Sequence, residues 1–158
     1  MDTAESQKDS FIRRLREWDA QAVSEVIEFR GETTVVVPPE HLQRAAEFLA
    51  NDPALQFTFL SDITAVDKFP LEPRFELNYH LLSLEHRARI RIKVRASGND
   101  PVVPSVTSIW PAANWHEREA FDLMGVRFDG HPDLVRILMP DDWEGHPLRK
   151  DYPVEGYR

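Results

Sequence analysis

The chain has 158 residues, the size of one ordinary domain, and 42% of them are hydrophobic, enough to build a proper core. Acidic residues outnumber basic ones 27 to 19, for a formal charge of −8, which argues against a general nucleic-acid binder because phosphate binding needs a cationic footprint. With no cysteine, the chain forms no disulfide and holds no thiolate-ligated iron–sulfur cluster on its own. The polar start from Met1 to Ser10 lacks the apolar core of a signal peptide, and no stretch approaches the roughly 20 apolar residues of a membrane span. The expectation is a soluble chain that meets a membrane only through partners.

Phe11, Ile12, Leu15 and Trp18 share one helical stripe, which predicts an amphipathic helix over about Ser6 to Asp19. Ala22 to Phe29 and Thr33 to Val37 read as two strands joined at Arg30-Gly31. Pro38-Pro39 closes the second strand and opens a helix in which Leu42, Ala45, Ala46 and Leu49 line one face. That helix stops before Asn51-Asp52-Pro53, and the alternation of Leu55, Phe57 and Phe59 with Gln56 and Thr58 predicts a third strand.

The clearest local pattern follows. Phe75, Leu77, Tyr79 and Leu81 alternate with polar residues, as do Ile90, Ile92 and Val94 with Arg89, Arg91, Lys93 and Arg95. The link from Ser83 to Arg87 is short, so the two strands form an antiparallel hairpin. Both apolar rows must face the core, and a one-residue slip would turn one row to solvent. One register that satisfies this sets Tyr79 opposite Ile92 and Glu76 opposite Arg95, and leaves four cations on the outer face. Asn99 to Pro104 is a proline-rich connection, and Ala112 to Met124 reads as a helix with Gly125 as a left-handed C-cap. Beyond Gly130 only a short strand at Val135 to Met139 is expected, followed by an irregular arm.

Candidate chemistry is sparse. His116-Glu117-Arg118-Glu119-Ala120 falls one residue short of the zincin motif, because Ala120 stands where the second imidazole must be. Glu119 and Asp122 are alternative oxygen ligands on nearby faces, giving a weaker reading as a small metal-assisted hydrolase built on His116, Glu119 and Asp122. Gly125 to Gly130 has the glycine spacing of a P-loop, but His131-Pro132 stand where phosphate- and magnesium-binding residues belong. Asp141-Asp142 are adjacent, too close to flank a glycosidic bond. Ser105, Thr107 and Ser108 carry no mark of an activated nucleophile. The cationic row Arg89, Arg91, Lys93 and Arg95 suits either a solvated strand face or an anionic partner. What stands out is the density of proline, glycine, tryptophan and charge from Trp110 to Asp151, which favours a binding subunit whose arm meets another protein.

The same stretch carries a resemblance. Pro104-Ser105-Val106, Trp110-Pro111-Ala112-Ala113-Asn114-Trp115 and Glu117-Arg118-Glu119-Ala120-Phe121-Asp122-Leu123-Met124-Gly125 begin it. Gly130-His131-Pro132-Asp133-Leu134, Arg136-Ile137-Leu138-Met139-Pro140-Asp141-Asp142-Trp143 and Pro147-Leu148-Arg149-Lys150-Asp151-Tyr152-Pro153 complete it. Together they resemble the signature of the 30 kDa-type subunit (the C subunit) of respiratory complex I, NADH-quinone oxidoreductase. Related subunits of ferredoxin-dependent complexes and membrane-bound hydrogenases share the motif.

The resemblance implies an α+β fold: an antiparallel or mixed β-sheet with helices packed on one face and an extended C-terminal arm. Residues 1–139 are expected to form the domain and 140–158 the docking arm. The chain would be a non-catalytic peripheral subunit at the cytoplasmic face of the bacterial cell membrane, packed against the quinone-site (D) subunit and neighbouring iron–sulfur subunits. It would hold no cofactor, with FMN, iron–sulfur clusters and quinone in its partners. The expected partner surface comprises Glu117, Arg118, Glu119, Asp122, Gly125, His131, Pro132 and Arg136, with Asp141, Asp142, Pro147, Leu148, Arg149, Lys150 and Asp151 on the arm.

Overall fold

A computed structural model describes residues 3–157 and runs in the order α1 (Thr3–Trp18), β1 (Glu25–Phe29), β2 (Glu32–Val36) and α2 (Leu42–Asn51). There follow β3 (Phe59–Asp67), β4 (Phe75–Ser83), β5 (Ala88–Ala96), β6 (Val102–Pro104), α3 (Ala113–Met124) and β7 (Arg127–Asp129). Met1, Asp2 and Arg158, the outer ends of the polar N-terminus and of the arm, lie outside the described residues.

The five long strands make one mixed sheet in the order β1-β2-β5-β4-β3. Its centre is the β4–β5 hairpin, with Tyr79 opposite Ile92 and Glu76 opposite Arg95. Leu77, Tyr79 and Leu81 meet Val94, Ile92 and Ile90 on the buried face, as the alternating pattern requires. On this face α2 lays down Leu42, Ala45, Ala46 and Leu49, which close on Tyr79, Leu81 and Ile92. The apolar stripe of α1 buries Phe11, Ile12 and Leu15. Trp18 stacks on Phe48 at 4.6 Å, and Arg14 clamps Asp52 with two bonds of 2.8 Å. The β1–β2 turn places Arg30 and Gly31 at φ 50° and 79°, the left-handed pair whose twist suits a tight hairpin.

Three expectations are corrected. The strand read at Leu55, Phe57 and Phe59 is displaced: Gln56 sits at φ 47°, which breaks the alternation, and the strand begins only at Phe59. Leu55 and Phe57 are nonetheless fully buried, and the Phe57 carbonyl accepts from Trp110 Nε1 at 3.0 Å. Within the connection after Asn99, residues 102–104 pair in parallel with β7. Val135 to Met139 is no strand, because its N–H groups turn inward onto a carboxylate of α3. The irregular C-terminal arm is present, but it runs back along its own domain.

Candidate functional site

The sequence places Ala113, Glu117 and Ala120 on one stripe of α3, and that stripe is buried. Glu117 is fully enclosed. Its carboxylate accepts from the Ser105 hydroxyl at 2.7 Å and from Val106 N–H at 2.8 Å, tying the loop after β6 to the helix. The His131 ring stands 4.0 Å away, and its own nitrogens are engaged by the Asn114 carbonyl and the Asp133 N–H. Burial raises Glu117 from an ordinary 4.5 to about 7, although Val106 and Ser105 pull the other way. Across the core the Tyr79 hydroxyl is buried with no hydrogen-bond partner among the described residues; burial, then the Glu117 charge, pushes its pKa up.

Asp122 is the second buried carboxylate of α3 and the hub of the arm. One oxygen accepts from three successive N–H groups, Ile137 at 3.0 Å, Leu138 at 2.7 Å and Met139 at 2.9 Å. The other accepts from Arg136 at 2.6 Å. Burial alone would raise this group, but Met139, Arg136 and the remaining donors outweigh it and hold it below the usual carboxylate range. Arg136 also donates to the carbonyls of Trp143 at 3.0 Å and Gly145 at 2.9 Å, so one guanidinium joins helix, loop and arm. His146 Nδ1 donates to the Asp122 carbonyl at 2.9 Å. Leu148 N–H reaches the Leu123 carbonyl at 3.0 Å, and Arg149 Nε the Met124 carbonyl at 2.7 Å. These contacts cap the end of α3, where Gly125 takes φ 71°. A Cβ there would overlap the Arg149 guanidinium and the His146 ring.

The last tether lies at the β3–β4 turn. Arg74 grips Asp67 with two bonds of 2.8 Å and Asp151 with bonds of 2.9 and 2.6 Å. Asp67 also accepts from Lys150 N–H at 2.8 Å. The Arg74 bonds hold Asp67 far below the usual carboxylate range. Phe69 and Phe75 flank the Arg74 guanidinium, and Arg149 lies over the same Phe75 ring at 5.2 Å.

These positions sort the expected partner surface. Glu117 and Asp122 are internal: both carboxylates are buried and bonded to donors of their own chain. Gly125 is buried, and Arg136, Arg149 and Asp151 are spent on intramolecular bonds. The His131 side chain is fully buried, and Pro147 is partly covered. Glu119, Pro132, Asp141, Asp142, Leu148 and Lys150 face solvent. Arg118 is half-covered: it donates to the carbonyls of Val135 and Arg136 while its guanidinium lies 5.3 Å from the centre of the Trp115 ring. Around this frame Trp115, Val135, Leu138 and Trp143 point outward, with Trp115 61% exposed and Leu138 57%.

The metal-hydrolase alternative fails on the same geometry. Asp122 is committed to Arg136 and three backbone N–H groups, and no cluster of three His, Cys, Asp or Glu suited to a metal occurs among the described residues. Sequence reasoning missed the burial of Glu117, Asp67 and Arg74. For Glu117 a signal was present, since it shares the apolar stripe with Ala113 and Ala120.

Comparison with known proteins shows the family. Residues 35–158 match the family model described as respiratory-chain NADH dehydrogenase, 30 Kd subunit. A Roseiflexus sp. (strain RS-1) protein, named as the C subunit of NADH-quinone oxidoreductase, is 52% identical over 143 residues, covering 90% of this chain and 82% of the relative. Its namesake from Citrifermentans bemidjiense is 46% identical over 145 residues, covering 92% and 89%. Among solved structures, the trypsin-resistant fragment (1–134) of Nqo5 matches with a TM-score of 0.67 at 33% identity, over 81% of this chain and 99% of that one. A chain of an archaeal respiratory membrane complex, the membrane-bound sulfane sulfur reductase, matches with a TM-score of 0.79 at 27% identity, over 94% and 86%. The chain therefore belongs to the family of the 30 kDa subunit of respiratory-chain NADH dehydrogenase, the C subunit of complex I.

Proposed function

We propose that the chain is a non-catalytic structural subunit of the peripheral arm of NADH-quinone oxidoreductase, docked through α3 and the arm against the quinone-site (D) subunit and neighbouring iron–sulfur subunits. In this reading FMN, the clusters and quinone belong to those partners, and the chain itself holds no cofactor. It sits at the cytoplasmic face of the bacterial cell membrane and reaches it through partners; no described helix is long and apolar enough to cross a membrane.

The observation that carries the reading is the outward row of Trp115, Val135, Leu138 and Trp143. Trp115 is held by α3 itself, and the backbone carrying Val135, Leu138 and Trp143 is fixed from within by Arg118, Asp122 and Arg136. Large apolar side chains on a rigid frame mark a protein interface, and tryptophan is enriched where binding energy concentrates. The flanking carboxylates of Glu119, Asp133, Asp141 and Asp142 are exposed, so the fitting partner surface is apolar with a basic rim.

The test is assembly. Trp143→Ala and Leu138→Asp should prevent incorporation into the complex on native gels while the free chain keeps its circular dichroism melt. Normal assembly with full quinone reductase activity would remove this surface from the docking role. Should either variant melt early, Asp141→Lys, which alters only an exposed charge, takes its place.

A further inference from the structure

The face of the sheet turned away from α2 carries polar side chains joined across four strands. His80 Nδ1 on β4 donates to Asp62 on β3 at 2.6 Å, and His80 Nε2 accepts from Arg91 Nε on β5 at 2.9 Å. Arg91 continues to Thr34 at 3.2 Å and Glu32 at 2.5 Å, both on β2. Lys93 ends on Glu76 at 3.0 Å and Arg95 on Glu25 at 3.0 Å. Three of the four cations expected on this face are thus neutralised inside the chain. The side chains of Arg89, and of Arg87 in the turn before it, have no ion pair or hydrogen bond among the described residues.

Both free guanidinium groups line a cleft of about 560 Å³, together with Thr33, Ser61, Leu82 and Arg91. Two uncompensated cations in one cleft run against a chain of net charge −8. Arg87 is also held at φ 50°, a conformation that costs a non-glycine residue and that Gly or Asn would adopt more easily.

We propose that this cleft is a docking site for an acidic, extended segment of a partner protein, whose carboxylates engage Arg87 and Arg89. A carboxylate matches a guanidinium fork to fork with a single charge. Asp62 and Glu32 in the cleft wall disfavour the greater charge of a phosphate. Extension follows from the strand: Arg89 and Arg91 project from one face of β5, about 6.6 Å apart, the spacing of alternate side chains on an extended peptide. Arg91 stays bonded to His80 and Thr34, and only its pair with the exposed Glu32 is exchangeable for a peptide carboxylate. Leu82 and the half-exposed Phe59 opposite it supply an apolar strip for the intervening residues. The inference is independent of the α3 surface, since its assay needs no assembled complex.

The experiment is fluorescence anisotropy of the full chain with a labelled peptide alternating Glu and Val. Saturable binding that weakens at high salt is expected, with the matching Gln–Val peptide bound at least about tenfold more weakly. Arg87→Ala and Arg89→Ala should each weaken binding by about fivefold or more. Arg89→Lys should retain part of it, and Arg13→Ala on α1 should change nothing. Melting curves establish that the variants are folded; where an alanine variant is not, Arg89→Gln replaces it. Equal binding of the Gln–Val peptide, indifference to Arg89→Ala, or no binding at all would overturn the proposal. So would binding of inorganic phosphate or of anionic-lipid vesicles in place of the peptide, which would assign the cleft to a phosphate group or to a membrane.

Discussion

Replacing Glu117 by Gln should alter how the stability of the free chain depends on pH. The carboxylate is fully buried, and its pKa rises from 4.5 to about 7, chiefly through burial. The fold therefore favours the protonated form. Stability from this group is complete below the unfolded value near 4.5, is lost progressively as pH rises to about 7, and is level above. The upward shift corresponds to about 3 kcal/mol between pH 4.5 and pH 8. For a chain of this size that is a fall in Tm of about 6–12 °C. Asp67 and Asp122, held below their ordinary 3.8, act with the opposite sign and at lower pH, where acid removes their stabilisation. Glu117→Gln keeps the shape and an oxygen acceptor for Val106 but has no charge to bury. The assay is thermal unfolding by circular dichroism of both proteins from pH 4.5 to 8. The difference between them isolates Glu117 from every other titrating group: the variant should be the more stable above pH 7 and the two should converge below pH 5. Parallel curves over the whole range would refute the assignment of Glu117 as a buried group titrating near neutrality.

Further outcomes follow from the same contacts. Asp122→Ala strips Arg136 and three N–H groups of their acceptor and should cost about 3–5 kcal/mol in denaturant unfolding. Arg74→Ala leaves Asp67 buried and unpaired and should cost a similar amount, whereas Asp151→Ala, on an exposed partner, should cost no more than about 1 kcal/mol. Ile92→Asp buries a carboxylate on the core face of β5 and should cost several kcal/mol, on the order of the core-charge penalty, while Arg91→Ser on the outer face should be mild. Truncation after Met139 should lower the Tm of the free chain, since it removes the residues that cap α3 and hold Arg74; an unchanged melt would show that these contacts add nothing to the fold.

The parts legible in the sequence are those fixed by local period. The β4–β5 register follows because both strands alternate over a short link, and only one parity hides both apolar rows. α3 and its Gly125 cap follow from helical spacing and a residue free to take positive φ. The displaced start of β3 depends on Gln56 adopting a left-handed backbone, for which no glycine or asparagine gives warning. β6 and β7 are short and distant in sequence, so their pairing leaves no periodic trace. Asp122 looks solvent-facing on a helical projection and becomes internal only because the arm returns over it. Asp67 and Arg74 face each other across the β3–β4 turn, but Asp151 reaches them from 77 residues beyond Arg74, which no local pattern encodes. The outward Trp115 and Trp143 stand out by composition, while the bonds from α3 to residues 135–139 that frame them leave no periodic trace.

Whether the chain acts as a complex I subunit through its contacts is decided by affinity purification of the tagged full chain from native membranes, with mass spectrometry of what accompanies it. Co-purification is expected, in fixed proportion, with the quinone-site subunit and the iron–sulfur subunits, and NADH:quinone reductase activity should follow the tag. The chain separated from that material should be colourless and free of tightly bound metal. Recovery of the chain alone, or of a chain that carries its own flavin, zinc or iron, would contradict that role.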